Sequence, residues 1–284
     1  MYKVLVSDPI ADKGIEILEN AGFEVIYNPN PSNDELQSYS RDINAWVIRS
    51  GTKISAAYLK DARNLQVIGR AGVGVDNIDI NEATNQGIIV MNMPDGNTIS
   101  AAEHTIAMMM ALSRNVHLGH VGILAGEWKR GNLVGSELNG KILGVVGLGR
   151  IGGEVIKRAI GLKMRILGYD PFVTGDLFDK HKVQIVDLDE LTKKSDYITL
   201  HVPFLENTKN LFDAKRLSMM KNSARIINVA RGGIINESDL SQALNNGIIA
   251  GAAIDVFENE PLENDNPLIL SDNILLTPHL GAST

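Results

Sequence analysis

The chain has 284 residues and a formal net charge of −7, and 44% of its residues are hydrophobic and 21% charged, which is typical of a globular protein with one large or two medium domains. The absence of cysteine excludes disulfides and thiolate metal sites and fits a reducing compartment, so we predict a cytoplasmic protein that holds no metal. The acidic balance argues against nucleic acid, and no apolar run approaches the roughly 20 residues of a membrane helix, so neither nucleic acid nor membrane is a predicted partner.

The first third of the chain alternates between short apolar runs and polar, helix-like stretches. This alternation is typical of a parallel α/β sheet, whose strands are continuously apolar because helices cover both faces. The predicted strands are residues 3–8, 23–28, 45–50, 65–70 and 87–92. We therefore predict a doubly wound parallel-sheet domain over residues 1–96.

A mostly helix-forming stretch without proline follows over residues 97–128. Ser100, with Glu103 three residues later, forms a helix-capping pattern, so we predict one long helix that connects two domains. The patch Met108–Met110 on this helix fits either a dimer interface or ordinary core packing. His104, on the same helix, is interpreted as a buried structural histidine.

The rest of the chain repeats the alternation of strand and helix. The predicted strands are residues 141–147, 164–170, 197–203, 224–230, 252–257 and 273–279. We therefore predict a second doubly wound parallel-sheet domain over residues 97–284, which includes the long helix.

The second series opens with a glycine motif, G-x-G-x-x-G, formed by Gly147, Gly149 and Gly152. The motif lies directly after an apolar strand and before a helix-like stretch, which is the context in which it binds a dinucleotide. Gly147 allows the tight turn, Gly149 lets the backbone approach a pyrophosphate, and Gly152 lets the helix pack closely on the strand. With Arg150 and Ile151 at the start of the helix, these glycines are the predicted cofactor contacts of a Rossmann dinucleotide-binding domain.

Asp170 ends the next predicted strand, about twenty residues after the glycines. A carboxylate at this position accepts hydrogen bonds from both ribose hydroxyls and repels a 2′-phosphate, which favours NAD over NADP as the cofactor. The alternative is that Asp170 only caps the turn that follows the strand.

Polar residues also stand at the ends of later strands, where ligands bind in an open α/β sheet. Arg231, Glu260 and His279 lie at or just beyond such ends. Oxidation of an alcohol beside a carboxylate needs a base that titrates near neutrality, a cation for the carboxylate and a group that orients the base. Histidine suits the first task, arginine the second and glutamate the third. His201 is a rival base, and pairing of each residue with loop backbone is the structural alternative.

Six motifs in order along the chain carry a resemblance to a known family: "GLGRIG", "YDP", "HVP", "NVARGGIINE", "DVFENEP" and "TPHLGAST". Together they resemble the D-isomer-specific 2-hydroxyacid dehydrogenases over nearly the whole chain. The resemblance implies a nicotinamide-dependent dehydrogenase in which His279 is the acid/base, Glu260 is its partner, and Arg231 binds the substrate carboxylate and carbonyl.

The resemblance also implies the rest of the cofactor site. Asp255 is expected near the nicotinamide, and His201 is expected on the cofactor side of the site rather than as the base. The other residues expected to line the cofactor cleft are Val202, Pro203, Val229 and Ala230.

By the same resemblance, residues 1–96 form a substrate-binding, flavodoxin-like domain, and residues 97–284 form the NAD-binding Rossmann domain of a homodimer or homotetramer. Hinges are expected near residues 94–97 and near the end of the chain. In the family the chain continues past "HLGAST" into a helix that crosses back to the first domain, so either the sequence is cut short or the protein lacks this closure. If residue 284 is the true end, we expect a less stable first domain and weak turnover. A NAD-sensing, corepressor-like binding module with the same fold is the non-enzyme alternative.

The first domain brings arginines and glycine turns to its strand ends in "IRSGT" and "GRAGVGVDNID", and "GEWKRGN" adds another arginine after the long helix. Because Arg231 already serves one carboxylate, these arginines suggest a second anionic group on the substrate, and arginine suits a phosphate. The motifs are most similar to those of family members that oxidise a phosphorylated 2-hydroxy acid. The predicted substrate-binding residues are Arg49, Ser50, Gly51, Arg70, Gly72 and Arg130. The alternatives are a glyoxylate or hydroxypyruvate reductase, and surface salt bridges that explain each charge separately.

Overall fold

The computed structural model describes residues 1–173 and 183–284. These residues form two units, Met1–Asn97 and Thr98–Thr284, and each unit is built on one parallel β-sheet. The predicted fold class, two parallel-sheet α/β domains, is confirmed. No helix among the described residues is long and apolar enough to cross a bilayer.

The first unit contains a five-stranded sheet in the order β2-β1-β3-β4-β5, with every neighbouring pair parallel. Its strands are β1 (Lys3–Val6), β2 (Glu24–Tyr27), β3 (Ala45–Ile48), β4 (Val67–Arg70) and β5 (Ile89–Asn92). Its helices are α1 (Asp12–Asn20), α2 (Asn33–Ser40), α3 (Ala56–Asp61) and α4 (Ile80–Asn85). Each strand falls within a run predicted from the sequence, because strands inside such a sheet are apolar along most of their length.

The core of the first unit lies between this sheet and α2, α3 and α4. Leu5, Trp46 and Ile68 are fully buried in it. The indole N–H of Trp46 donates to Ser7 Oγ at 2.8 Å, so the polar end of the largest core side chain is satisfied. This contact fixes the end of β1, where the chain continues into the loop that carries Asp8.

The second unit begins with two helices, α5 (Thr98–Arg114) and α6 (Val116–Leu124), followed by a 3₁₀ helix at Arg130–Leu133. The prediction of one helix over residues 97–128 is therefore wrong. Asn115, between the two helices, has a φ of +53°. This left-handed conformation ends α5, and asparagine adopts it more readily than most residues because its short side chain bonds locally.

The predicted capping role of Ser100 is also wrong. Since α5 already begins at Thr98, Ser100 lies within its first turn, and its Oγ is 2.7 Å from Thr284 Oγ1. The contact joins the start of α5 to the last residue of the chain.

The second unit contains a seven-stranded parallel sheet in the order β12-β11-β10-β9-β6-β7-β8. Its strands are β6 (Ile142–Val146), β7 (Arg165–Tyr169), β8 (Val183–Ile185), β9 (Tyr197–Leu200), β10 (Arg225–Asn228), β11 (Gly251–Ile254) and β12 (Ile274–Leu276). Its further helices are α7 (Arg150–Gly161), α8 (Leu188–Lys194), α9 (Ala214–Ser218), α10 (Glu237–Asn245) and a 3₁₀ helix at Pro267–Leu270. β7 and β9 flank β6 on opposite sides, and ligands bind at such a switch in strand order, beyond the carboxyl ends of the strands.

The methionine patch of α5 divides between core and surface. Met108 and Met109 are buried in the same apolar cluster as Val155 and Ile156 of α7, whereas Met110 is 44% exposed. Core packing is therefore the role of Met108 and Met109, and it holds α5 against the helix that follows the glycine motif.

Candidate active site

The turn after β6 has the shape that the glycine motif predicts. Gly147 has a φ of +94°, and a Cβ there would overlap the backbone carbonyl of His201, whose carbon would be 2.7 Å away. A Cβ on Gly152 would overlap the carbonyl oxygen of Gly147. A Cβ on Gly149 would meet no protein atom within 4 Å. Packing thus requires Gly147 and Gly152, whereas Gly149 borders open space, as expected of a residue that a ligand approaches closely.

The N-terminus of α7 is open to an anion. Gly149 is its N-cap residue, and no side chain caps the first turn, which contains Arg150 and Ile151. The first N–H groups of a helix have no intrahelical acceptor and carry partial positive charge. The turn and helix start therefore fit the pyrophosphate of a dinucleotide.

Asp170 follows β7 and contacts the glycine turn. One carboxylate oxygen accepts the backbone N–H of Leu148 and the other that of Phe172, both at 2.9 Å. The second contact is the turn-capping role weighed from the sequence, while the first holds Asp170 beside the motif. Each oxygen keeps a lone pair that can accept a ribose hydroxyl.

His201 follows β9 and borders the same turn. Its Nε2 lies 2.9 Å from Thr199 Oγ1. Burial lowers the pKa of His201 to about 3, so the ring stays neutral at physiological pH. Such a low pKa argues against His201 as the catalytic base. Val202 is packed on the core, and Pro203 is exposed in the loop beyond it.

The loop after β10 carries Arg231. The Asn228 side chain accepts the N–H of Ala230 at 3.0 Å and donates to the carbonyl of Arg231 at 2.8 Å, which fixes the turn that includes Val229. A Cβ on Gly232 would overlap the carbonyl of Phe257, so this glycine lets the loop lie directly against the loop after β11.

Glu260 and His279 meet beside that contact. His279 Nδ1 is 2.7 Å from Glu260 Oε2, and the backbone N–H of Phe257 donates to Glu260 Oε1 at 3.0 Å. Because the carboxylate can only accept, Nδ1 carries the proton, and Nε2 is the nitrogen left to exchange a proton with a substrate.

The charges of this site act on one another. The hydrogen bond to Glu260 raises the pKa of His279 against its desolvation, the charges of Glu260 and Asp255 raise it further, and the charge of Arg231 opposes them. Burial works to raise the pKa of Glu260, but its hydrogen bonds from His279 and Phe257 and the charge of Arg231 hold that pKa below its ordinary value. The predicted trio is therefore brought together in one site.

Asp255 is fully buried at the end of β11, beneath the turn that carries His279. Its carboxylate accepts the backbone N–H of Leu280 at 2.7 Å and that of Gly281 at 2.9 Å. Asp255 was expected beside the nicotinamide, and these contacts add a direct link to the histidine turn. Gly281 is also packed against Val229, since a Cβ on it would lie 2.9 Å from Val229 Cγ1.

In the first unit, the loop after β3 is held from below by Asp8. One oxygen of this buried carboxylate accepts the N–H of Arg49 at 2.6 Å and that of Thr52 at 3.1 Å. A Cβ on Gly51 would overlap Asp8, so the loop can lie on the carboxylate only with glycine there. Asn77 donates to the carbonyls of Arg49 and Thr52 at 2.7 and 2.6 Å.

The remaining predicted substrate residues lie in two places. Arg70 ends β4, next to β3, and its guanidinium occupies the space where a Cβ on Gly72 would be. Ser50 is exposed in the loop beside Arg49. Arg130 is exposed in the 3₁₀ helix of the second unit. The structure thus brings Arg49, Ser50, Gly51, Arg70 and Gly72 to neighbouring strand ends, while Arg130 belongs to the other unit.

The residues that support these loops were not among the predicted site residues. Asp8 stands at a strand end, which is a signal for a site residue but does not reveal a supporting role. Asn77 and Asn228 carried no signal, because their function depends on loops whose folded shape the sequence does not show.

Comparison with known proteins places the chain in a family. It matches the family described as "D-isomer specific 2-hydroxyacid dehydrogenase, NAD binding domain" over residues 106–281. It is 47% identical over 285 residues to a D-3-phosphoglycerate dehydrogenase of Methanocaldococcus jannaschii, and 46% identical over 282 residues to one of Archaeoglobus fulgidus. These alignments cover 100% and 99% of this chain and 54% of each relative, so the chain spans about half the length of the curated relatives it matches.

Solved structures agree with this placement. The TT0316 protein from Thermus thermophilus has a TM-score of 0.91 at 32% identity, covering 99% of this chain and 90% of that one. A glyoxylate reductase from Paecilomyes thermophila has a TM-score of 0.90 at 28% identity, covering 100% and 89%. The fold and the glycine turn define a dinucleotide-binding α/β protein. The chain belongs to the D-isomer-specific 2-hydroxyacid dehydrogenase family, and its second unit is the NAD-binding domain of that family.

Proposed function

We propose that the chain is the catalytic part of a cytoplasmic, NAD-dependent dehydrogenase that oxidises 3-phospho-D-glycerate to 3-phosphohydroxypyruvate, the entry to serine biosynthesis. The observation that carries the proposal is the 2.7 Å contact between His279 Nδ1 and Glu260 Oε2. Arg231 belongs to the same site, because its charge lowers the pKa of Glu260. The names of the relatives support this choice of substrate.

The second unit supplies the groups that would hold NAD. The turn at Gly147 and Gly149 and the start of α7 would bind the pyrophosphate, and Asp170 would bind the adenosine ribose. Val202, Pro203, Val229 and Ala230 would line the nicotinamide side, with Asp255 beneath. Bound NAD would supply the acceptor for the hydride from C2 of the substrate.

His279 is proposed to take the proton of the 2-hydroxyl group. Nε2 accepts that proton as the C2–O bond becomes a carbonyl, and the resulting imidazolium is stabilised by Glu260 at Nδ1. The guanidinium of Arg231 binds the substrate carboxylate and sets C2 beside Nε2. In the reverse direction the same histidine returns the proton to the alkoxide.

The proposed phosphate ligands are Arg49, Ser50, Gly51, Arg70, Gly72 and Arg130. Two facts support the loop after β3: Asp8 and Asn77 hold its backbone in place, and the N–H groups of Ser50 and Gly51 are not used by that scaffold. Backbone N–H groups beside arginines are a common arrangement for an anion.

A nonphosphorylated acid is the alternative substrate, and the similarity to a glyoxylate reductase favours it. The discriminating experiment measures NADH formation from NAD with phosphoglycerate and with glycerate. Under the proposal, Arg49→Ala and Arg70→Ala each raise KM for phosphoglycerate roughly tenfold or more with little effect on glycerate. Equal losses on both substrates would contradict the phosphate site, and no NADH from either substrate would favour the NAD-sensing alternative.

A homodimer or homotetramer is also part of the proposal. Helix α6 has no buried residue, and Val121, Ile123 and Leu124 are more than half exposed. Exposed apolar side chains on one element are typical of a protein–protein interface. Sedimentation should find an oligomer, and Leu124→Glu should weaken it; a monomeric parent chain would contradict this part.

A further inference from the structure

The carboxylate of Asp255 is a meeting point of several donors. Its Oδ1 accepts Thr277 Oγ1–H at 2.6 Å and the N–H of Leu280 at 2.7 Å, and its Oδ2 accepts the N–H of Gly281 at 2.9 Å. The side chain is fully buried. A buried carboxylate is tolerated when donors satisfy it, and all three of these donors lie within two residues of His279 in the chain.

His279 itself has an unusual backbone conformation. Its φ is +54°, in the left-handed region that favours glycine. Its N–H donates to the carbonyls of Asp255 at 2.9 Å and Thr277 at 3.0 Å. A non-glycine residue stays in this region only when its surroundings hold it there, and such residues cluster at functional sites. The surroundings here are the carbonyls of Asp255 and Thr277 and the side chain of Asp255.

A second histidine joins this network from α5. His104 Nε2 is 3.2 Å from Asp255 Oδ1, and its side chain is 19% exposed. Because Asp255 is a carboxylate that can only accept, Nε2 of His104 carries a proton and donates it. His104 is also 3.4 Å from Thr277 Oγ1, whose own proton is directed at Asp255.

We propose that His104 is a positioning residue for proton transfer: it orients the buried carboxylate of Asp255, which in turn holds the left-handed turn that directs His279 at Glu260. This inference rests on the proposed role of His279 as the proton acceptor. It gives α5 a part in the reaction, in place of the structural role that the sequence suggested for His104.

The charges around His279 predict how a change in this network would alter the pKa of His279. Glu260 and Asp255 raise its pKa and Arg231 lowers it, whereas His104 contacts Asp255 and Thr277, which both bond to the turn at His279. The hydrogen bond to Glu260 is the largest of these influences. If the turn relaxes, that bond weakens first, and the pKa of His279 falls towards its ordinary value.

The test compares two substitutions of His104 in the full chain. In His104→Gln the side-chain amide can still donate to Asp255, whereas His104→Leu has similar bulk and no donor. We expect His104→Leu to lower kcat roughly tenfold or more, since small misplacement of a reacting group is costly. The acidic limb of its pH profile should move to lower pH, with the Kd for NADH nearly unchanged. His104→Gln should stay close to the parent in both measurements.

A second variant keeps the test decisive if His104→Leu does not fold. Thr277→Val removes another donor to Asp255 Oδ1 without changing the size of the side chain, and it should shift kcat and the pH profile in the same direction. If the folded variants keep the kcat and the pH profile of the parent, the inference is overturned. It is also overturned if the Kd for NADH rises while kcat stays unchanged. His279→Asn distinguishes the two levels: if it stays active, the proposed function is wrong, whatever His104 does.

Discussion

The imidazole of His279 and the carboxylate of Glu260 form a hydrogen-bonded pair, with Nδ1 and Oε2 2.7 Å apart. The pair raises the pKa of the histidine and, against burial, lowers that of the glutamate. The histidine's contribution to stability is complete below its ordinary value of 6.5 and is lost as pH rises through the raised pKa. The glutamate's contribution is present above 4.5 and is lost as pH falls through the lowered pKa. The pair is therefore most stabilising between pH 4.5 and 6.5.

Glu260→Gln should remove the pH-dependent stabilisation that the His279–Glu260 pair provides. We expect its loss of stability, followed as Tm against pH, to be largest between pH 4.5 and 6.5 and to shrink at alkaline pH. Oxidation needs neutral His279, so the rise of kcat/KM with pH should move to lower pH as the histidine pKa falls. The rate should fall roughly tenfold or more, because the imidazolium loses its partner.

The neighbouring Glu258 offers a matched control. It is exposed, and its backbone N–H, not its carboxylate, makes the contact to Glu237. Glu258→Gln should keep the parent's pH profile. An unchanged profile in Glu260→Gln would refute the assigned role of Glu260.

Replacing His279 itself separates chemistry from backbone strain. His279→Gly and His279→Ala both remove the imidazole, so both should lose activity by roughly 10²-fold or more. At a φ of +54°, however, alanine is strained and glycine is not. We expect the glycine variant to be more stable by about 1 kcal/mol in urea unfolding, although glycine costs more chain entropy. Equal stability, or a more stable alanine variant, would show that the turn relaxes.

Much of the fold could be predicted from the sequence because strands covered on both faces are marked by their apolar side chains. β8 was missed because its three residues, with Gln184 in the middle, carry too little of that signal. The break at Asn115 was missed because one left-handed residue between two helical stretches leaves their composition unchanged.

For the site, the sequence could predict which residues do chemistry but not what holds them. Arg231, Glu260 and His279 stand at strand ends, and parallel strands bring those ends to one edge of a sheet. The contact of His104 with Asp255 joins residues that are 151 positions apart in the chain. The left-handed conformation of His279 also depends on tertiary packing. No local pattern encodes such contacts.

Two glycines of one motif should respond differently to alanine. In Gly152→Ala, the new Cβ overlaps the carbonyl oxygen of Gly147, so α7 must move, and we expect a loss of roughly 1–3 kcal/mol in the free energy of unfolding. In Gly149→Ala, the Cβ meets no protein atom, and the φ of −70° suits any residue, so stability should stay within about 1 kcal/mol.

Binding of NADH should separate the same two variants. Gly149→Ala places a methyl group where the pyrophosphate is expected, so its Kd for NADH should rise roughly tenfold or more without a matching loss of stability. Unfolding in urea and titration of NADH fluorescence measure the two effects. Parent-like NADH binding in Gly149→Ala would argue against a pyrophosphate at this turn.

Asp8 should stabilise the first unit through the loop after β3. One oxygen of Asp8 accepts two backbone N–H groups, so Asp8→Ala leaves the N–H groups of Arg49 and Thr52 without an acceptor. Each N–H group that water does not reach should cost roughly 1–3 kcal/mol of the free energy of unfolding. Asp8→Asn is the matched control, because its amide oxygen can occupy the same place and accept both bonds. Its loss should be clearly smaller.

Fluorescence can follow this unit selectively, since Trp46 is fully buried in the first unit and Trp128, in the second, is exposed. Asp8→Ala should lower the urea midpoint reported by Trp46 and raise KM for phosphoglycerate, because the backbone at Ser50 and Gly51 is no longer fixed. The Kd for NADH should stay near the parent value, since the glycine turn belongs to the other unit. Equal midpoints for the alanine and asparagine variants would mean that the two hydrogen bonds do not stabilise the loop.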